Sequence, residues 1–414
     1  MTRKFFKFVK THPRKGKVER NIAFIEGRYA APFNGFICGS EQTPDYAVWG
    51  RFGNDAPEWG HRQPEKCRQI LDVLMPGAST HPLRQRFDKR RFYFSGTPYG
   101  DFDEVPVEVN GDYLKQYKLL LNLGWNTMIA EDYEKILDFV KDGGVLFTGL
   151  PQFSTHVKRD FLKEMKDLAL WNNGDLKELC GIEVNGTSDR QFVSQFNTAL
   201  DLPEAELSAI PSADPDEDGN CFIADCTLSA DAEVVVWDAD SGLPLLVRNK
   251  CGKGVVYTLT VYAYPGHERI RNLSAAVTAF LAGESRSDIR VEDESGEVFW
   301  SVRRESGNVA RLNMLNTDWS RKGNVKVVTV FTPGVVADIE VVERNAAMLT
   351  VLPFALVKCG IEHFIEVVEC GTETAKLRIH GSGDARITVY RAETLEEIII
   401  EDNNSIVREL ELFS

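Results

Sequence analysis

The chain has 414 residues, with 48 Lys and Arg against 62 Asp and Glu, for a formal net charge of −14. That balance argues against a dominant phosphate-tracking surface and so against a nucleic-acid partner. No run nears the roughly 18 consecutive apolar residues of a membrane-spanning helix, so no membrane partner is expected. At 43% hydrophobic and 27% charged residues, the chain reads as a soluble globular protein of two or three domains that needs no metal or disulfide staple.

Taken in order, the first element is a basic arm over residues 1–20. Arg3, Lys4, Lys7, Lys10, Arg14, Lys15, Lys17 and Arg20 face only Glu19. The arm reads as a solvated lead-in from an upstream segment, and the chain as cytoplasmic, because 5–9 is too short and interrupted for a secretory core. Residues 21–26 form a short apolar run ending at Gly27, a buried strand. Residues 91–94 form another. Tyr113, Leu114, Tyr117, Leu120 and Leu121 recur at helical spacing, with Asp112 as N-cap and Gly124 beyond the end. Residues 126–129 read as a strand. Tyr133, Ile136, Leu137 and Val140 predict a helix stopped by Gly143-Gly144, and 145–148 the next strand.

Strands resume at 232–237, 244–247 and 254–260, with a turn at Gly252-Lys253 and a final helix over about 269–281. The polar stretch 180–230, carrying an acidic loop at 211–219, reads as an insertion. Alternating strands and helices predict an α/β domain over 21–285, with a doubly wound, mostly parallel sheet. From 286 to 414 short β-rich segments separated by turns predict an antiparallel β-sandwich.

Chemistry is thinly marked. There is neither GxGxxG after the first strand nor a GxxxxGK[ST] loop, so no cofactor is expected. Eight dispersed cysteines without a CxxC pair read as reduced, mostly buried thiols, and no metal site is expected. Functional residue types concentrate at Trp49, Arg51, Trp59, His61 and Glu65, and at Tyr99, Asp101, Asp103 and Glu104. Placed in loops at the carboxyl ends of parallel strands, these rings could stack on sugars while charged groups bind hydroxyls. Asp101, Asp103 and Glu104 are the candidate acid/base groups. Trp300 and Trp319 form a competing surface, and Trp125 reads as packing.

The segment 143–152 resembles the nucleophile-elbow region of class I glutamine-amidotransferase-like domains, with Pro151 where the resemblance places the cysteine. His267 and Glu268 fall where it places the histidine and glutamate. Without the thiol, that pair cannot perform thiol catalysis, so amidotransferase activity is not expected. Three segments, 139–146, 242–257 and Leu315-Asn316-Thr317-Asp318-Trp319, give the chain a resemblance to the non-barrel C-terminal region of glycoside hydrolase family 42-like β-galactosidases. There, an amidotransferase-like α/β domain, often involved in trimerisation, precedes a small β domain. The resemblance implies a carbohydrate-active protein, the non-catalytic assembly or substrate-access part of such an enzyme, forming a homo-oligomer with a trimer as the implied form. A barrel of about 250 residues has no room beside the domains assigned. Two alternatives stand: a self-sufficient glycosidase using the loop carboxylates, and a sugar-binding or scaffold protein without catalysis.

Overall fold

The computed structural model describes residues 10, 15–28, 67, 70–74, 97–124, 127–156, 165–203, 221–267, 269–285, 287–307, 309–318, 320–330, 332–360, 362–401 and 407–414. These fall into two compact units, one α/β and one all-β. No helix among the described residues is long and apolar enough to cross a membrane.

The α/β unit is built on eight strands: β1 (Arg20–Glu26), β2 (Asp101–Pro106), β3 (Leu119–Asn122), β4 (Val145–Gly149), β5 (Phe196–Thr198), β6 (Ala232–Asp238), β7 (Pro244–Cys251) and β8 (Gly254–Leu259). Their order is β2-β1-β3-β4-β8-β7-β6-β5. β1, β3, β4 and β8 are mutually parallel, while β7, β6 and β5 add on antiparallel. The sheet is therefore mixed rather than mostly parallel. The cause is local, because a two-residue connection such as Gly252-Lys253, with Gly252 at φ 59°, can only return the chain antiparallel.

Helix α1 (Ala130–Lys141) joins β3 to β4. Its Ile136, Leu137 and Val140 are buried in one cluster with Leu120, Leu146 and Val256, which share one face of the sheet. Gly143 at φ 120° turns the chain from the helix into β4, as the two-glycine stop requires. Residues 175–176, 182–191 and 222–228 form a small antiparallel sheet whose Leu176, Ile182 and Ala224 join that same cluster. The insertion is thus strand-built on both sides of its acidic loop, which lies outside the described residues. Helix α2 (Arg271–Glu284) packs against β3.

Two local expectations are corrected. Helical spacing over 113–121 gives only a single turn, Gly111–Leu114, capped by the Asn110 side chain, which accepts from the Asp112 backbone N–H. Leu119, Leu120 and Leu121 are instead β3, each fully buried between β1 and β4. A short all-apolar run satisfies both periods, and sheet pairing on two sides decides for the strand. Residues 127–129 are consequently not a strand; the Met128 N–H donates to the Ser154 carbonyl.

In the all-β unit the strands are β9 (Ile289–Glu292), β10 (Val298–Ser306), β11 (Val309–Asn316), β12 (Gly323–Thr329), β13 (Val336–Val341), β14 (Ala346–Val351), β15 (Leu356–Cys359), β16 (Phe364–Cys370), β17 (Thr374–His380), β18 (Ala385–Tyr390), β19 (Leu395–Ile400) and β20 (Val407–Phe413). A central sheet runs β10-β11-β14-β15-β18-β19, extended at the β10 edge by Lys17–Val18. The end of the basic arm is therefore part of a sheet edge, with Lys15 and Lys17 still exposed to solvent. Glu19 there binds Arg304 and the Ser287 hydroxyl.

Two three-stranded sheets, β9-β12-β13 and β16-β17-β20, cover opposite faces of the central one. Leu312, Met314 and Leu349 pack with Val325, Val327 and Ile339. Val309, Val357, Ile387 and Val389 pack with Leu377 and Ile379 on the other side. Period-two alternation along each strand separates the two sets. Three layers, not the two of a sandwich, result.

Candidate functional site

In an open parallel sheet, ligands are held outside the carboxyl ends of the strands, so the described residues there come first. At the end of β4 the chain enters a 3₁₀ turn, Leu150–Phe153, in which every residue is buried. Pro151 sits at its start, with neither a nucleophilic atom nor an amide proton. The Gln152 amide donates to the carbonyls of Leu123 (3.1 Å) and Gly124 (3.3 Å), tying this elbow to the end of β3. Beneath it, Asn122, Thr148 and Thr258 lie in register on β3, β4 and β8, all fully buried. Asn122 donates to the Thr148 hydroxyl at 3.2 Å. The row is polar but carries no titratable group.

His267 is 1% exposed, and its Nδ1 accepts from the Arg269 backbone N–H at 3.2 Å. Its carbonyl accepts from the N–H groups of Ile270 and Arg271 at the approach to α2. These contacts make His267 part of the lead-in to the helix. Glu268, the other half of the expected pair, lies outside the described residues.

The carboxylates at 101–104 are not in a loop. They belong to β2, whose alternation puts Asp101 and Asp103 on one side and Glu104 on the other, so the three do not converge. Asp103 is ion-paired with Arg20 at 3.1 Å and accepts from the Tyr117 hydroxyl at 2.8 Å. Arg20 opens β1, which places Asp103 at the amino end of that strand, the edge opposite the expected crevice. Burial, followed by hydrogen bonds to Tyr113 and Asp103, pushes the Tyr117 hydroxyl well above its ordinary pKa. Tyr99 stands in the tight turn 97–100, its N–H donating to the Thr97 hydroxyl at 2.9 Å. Trp49, Arg51, Trp59, His61 and Glu65 lie outside the described residues, as do Trp125 and Trp319. Trp300 is 3% exposed and donates from Nε1 to the Pro98 carbonyl at 2.9 Å, so its ring is a core element rather than a sugar platform.

No disulfide joins any of the seven described cysteines. Burial pushes Cys180 and Cys226 each up to about 12 and Cys359 to about 11, so these remain thiols at neutral pH, far from the thiolate a nucleophile needs. Among the described residues no group of three or more His, Cys, Asp or Glu is arranged to hold a metal.

One charged cluster was missed by sequence reasoning. Asp132, fully buried in the first turn of α1, accepts from Arg28 Nε (2.7 Å) and Nη2 (2.9 Å), with Lys135 Nζ at 3.0 Å. The hydrogen bond to Asp132 holds the Arg28 proton more firmly than usual. Lys135 also donates to the Val107 and Val109 carbonyls. The carboxylate is fully used in joining β1, α1 and the turn after β2. Arg28 and Asp132 are 104 residues apart, and no sequence spacing announces them.

The geometry thus defines an α/β unit with a mixed sheet, together with a three-layer β unit, and an elbow closed by proline. No family model matches the chain, and no curated protein matches it. Solved structures do. A β-galactosidase from the haloarchaeon Halorubrum lacusprofundi is similar over 82% of this chain and 40% of its own, at 15% identity and TM-score 0.43. A β-galactosidase from Bacillus circulans sp. alkalophilus is similar over 81% and 42%, at 13% identity and TM-score 0.42. An α-L-fucosidase, isoenzyme 2, from Paenibacillus thiaminolyticus is similar over 97% and 51%, at 11% identity and TM-score 0.43. The chain spans about two fifths to one half of the length of these structures.

Proposed function

We propose that this chain is the non-catalytic α/β-plus-β part of a carbohydrate-active protein resembling glycoside hydrolase family 42, serving assembly or substrate access. The observation that carries the non-catalytic reading is the closed elbow. Where an amidotransferase-like domain presents its nucleophile, Pro151 lies buried in a 3₁₀ turn and Gln152 is committed to two backbone carbonyls. Two of the other candidate groups make structural contacts: Asp103 with Arg20 and Tyr117, and His267 with the start of α2.

The three segments behind the resemblance support the same reading. Residues 139–146 run from the end of α1 through the glycine turn into β4, and 242–257 contain the β7–β8 hairpin. At the end of β11, Asn316 donates to the carbonyls of Arg321 and Val341, and Asp318 accepts from the N–H groups of Ser320 and Arg321, a turn-forming role. In this reading the partner is carbohydrate, the protein is cytoplasmic, and the α/β unit mediates self-association into a homo-oligomer, with a trimer as the form the resemblance implies.

The test is hydrolysis of nitrophenyl β-galactoside, β-mannoside and α-fucoside by the purified chain, run beside light scattering. No turnover above buffer, with a mass above the monomer at micromolar concentration, is expected. Turnover abolished by Asp101→Asn or Glu104→Gln would replace this reading with a self-sufficient glycosidase. A strict monomer would remove the assembly role.

A further inference from the structure

The α/β unit carries a cavity of about 530 Å³, within the size range of small-molecule sites, at the amino edge of its sheet. Val145 and Val255, near the starts of β4 and β8, line it together with Phe139, Tyr257, Phe280 and Leu281. Its charged lining side chains are Lys115, Lys118, Asp142 and Glu284, which cancel in formal charge. The carboxyl ends of both α1 and α2 also lie at this cavity, represented by Asp142, Gly143, Glu284 and Ser285. Each helix end contributes roughly half a negative charge, which Lys141 in the last turn of α1 offsets at that helix and no basic side chain offsets at α2.

The carboxylates are not equivalent. Asp142 is ion-paired with Lys115 at 3.0 Å, whereas Glu284 has no ion-pair partner among the described residues. Glu284 is the last residue of α2, whose final turn contains no basic side chain. An acidic group at a helix carboxyl end is electrostatically unfavourable, and a bound cation would relieve it. Aromatic faces strengthen that preference, because their quadrupoles also attract cations.

We propose that this cavity binds an organic cation: a primary ammonium group carried on an apolar or ring body. The ammonium is held by Glu284 and the α2 carboxyl end, and the body lies against Tyr257, Phe280 and Val255. The site is distinct from the elbow and does not depend on the carbohydrate reading above.

The experiment is titration of the purified full chain with phenethylamine, with its neutral counterpart 2-phenylethanol, and with glucosamine, followed by chemical-shift or thermal-shift changes. Phenethylamine should bind in the millimolar range, and 2-phenylethanol about tenfold more weakly. Raising the salt should weaken the amine alone. Glu284→Gln, an exposed substitution compatible with folding, should reduce amine affinity about tenfold and leave 2-phenylethanol unchanged. Glucosamine binding that is lost in Glu284→Gln would identify an amino sugar as the ring-bearing form. Equal affinity for amine and alcohol, unchanged affinity in Glu284→Gln, or no amine binding at tens of millimolar would each overturn the proposal.

Discussion

Replacing Asp132 by alanine removes the fully buried carboxylate that joins β1, α1 and the turn after β2. It loses two hydrogen bonds from Arg28 and the ion pair with Lys135, at 2.7, 2.9 and 3.0 Å. A hydrogen bond to a charged group is worth about 1.5–3 kcal/mol, but the simple sum overstates the cost. Arg28 and Lys135 retain 20% and 14% side-chain exposure, so each can turn partly to water. Breaking a buried pair costs about 3–5 kcal/mol, and the partial exposure of the donors favours the lower end, about 3 kcal/mol. Arg28→Met should cost less, about 1–2 kcal/mol, because Lys135 still neutralises the carboxylate. Two units need not unfold in one transition, so the assay is amide hydrogen exchange read at α1. Exchange there should accelerate about a hundredfold in Asp132→Ala, which is the 3 kcal/mol expressed as a rate. An acceleration below about fivefold, or equal effects of the two substitutions, would refute the assignment of the cluster as a buried electrostatic joint.

Trp300→Ala should destabilise the all-β unit by about 3–5 kcal/mol, seen as a lower midpoint in urea, because a large core ring and its bond to Pro98 are both lost. Glu366 is held below the ordinary glutamate range first by His380 and then by Lys15. Its contribution is present above the unfolded glutamate pKa and is lost as pH falls through the lower folded value. Glu366→Gln should therefore flatten the stability of the all-β unit across that acidic window, measured by urea unfolding at stepped pH. In native protein at pH 8, Cys180, Cys226 and Cys359 should resist iodoacetamide while half-buried Cys370 reacts first, as peptide mass spectrometry would show.

Local signals sufficed wherever one period and its stop signal agreed. Helix α1 was legible from Tyr133, Ile136, Leu137, Val140 and the two glycines; β4 from its apolar run; and the β7–β8 turn from Gly252-Lys253. Proline at 151 was legible at once, since no tertiary contact can supply a sulfur at the position where the resemblance places a cysteine. Leu119–Leu121 could not be read alone, because three adjacent leucines fit helix and strand equally until β1 and β4 flank them. Tertiary structure also split Asp101 and Asp103 from Glu104, since a strand turns neighbours in sequence to opposite faces. It alone set the three-layer stacking in the all-β unit, where alternation marks two buried faces without saying what covers each. The joint of Arg28, Asp132 and Lys135 and the cavity between the carboxyl ends of α1 and α2 are likewise products of the fold. Each depends on residues brought together across long stretches of chain, where sequence distance carries no information about distance in space.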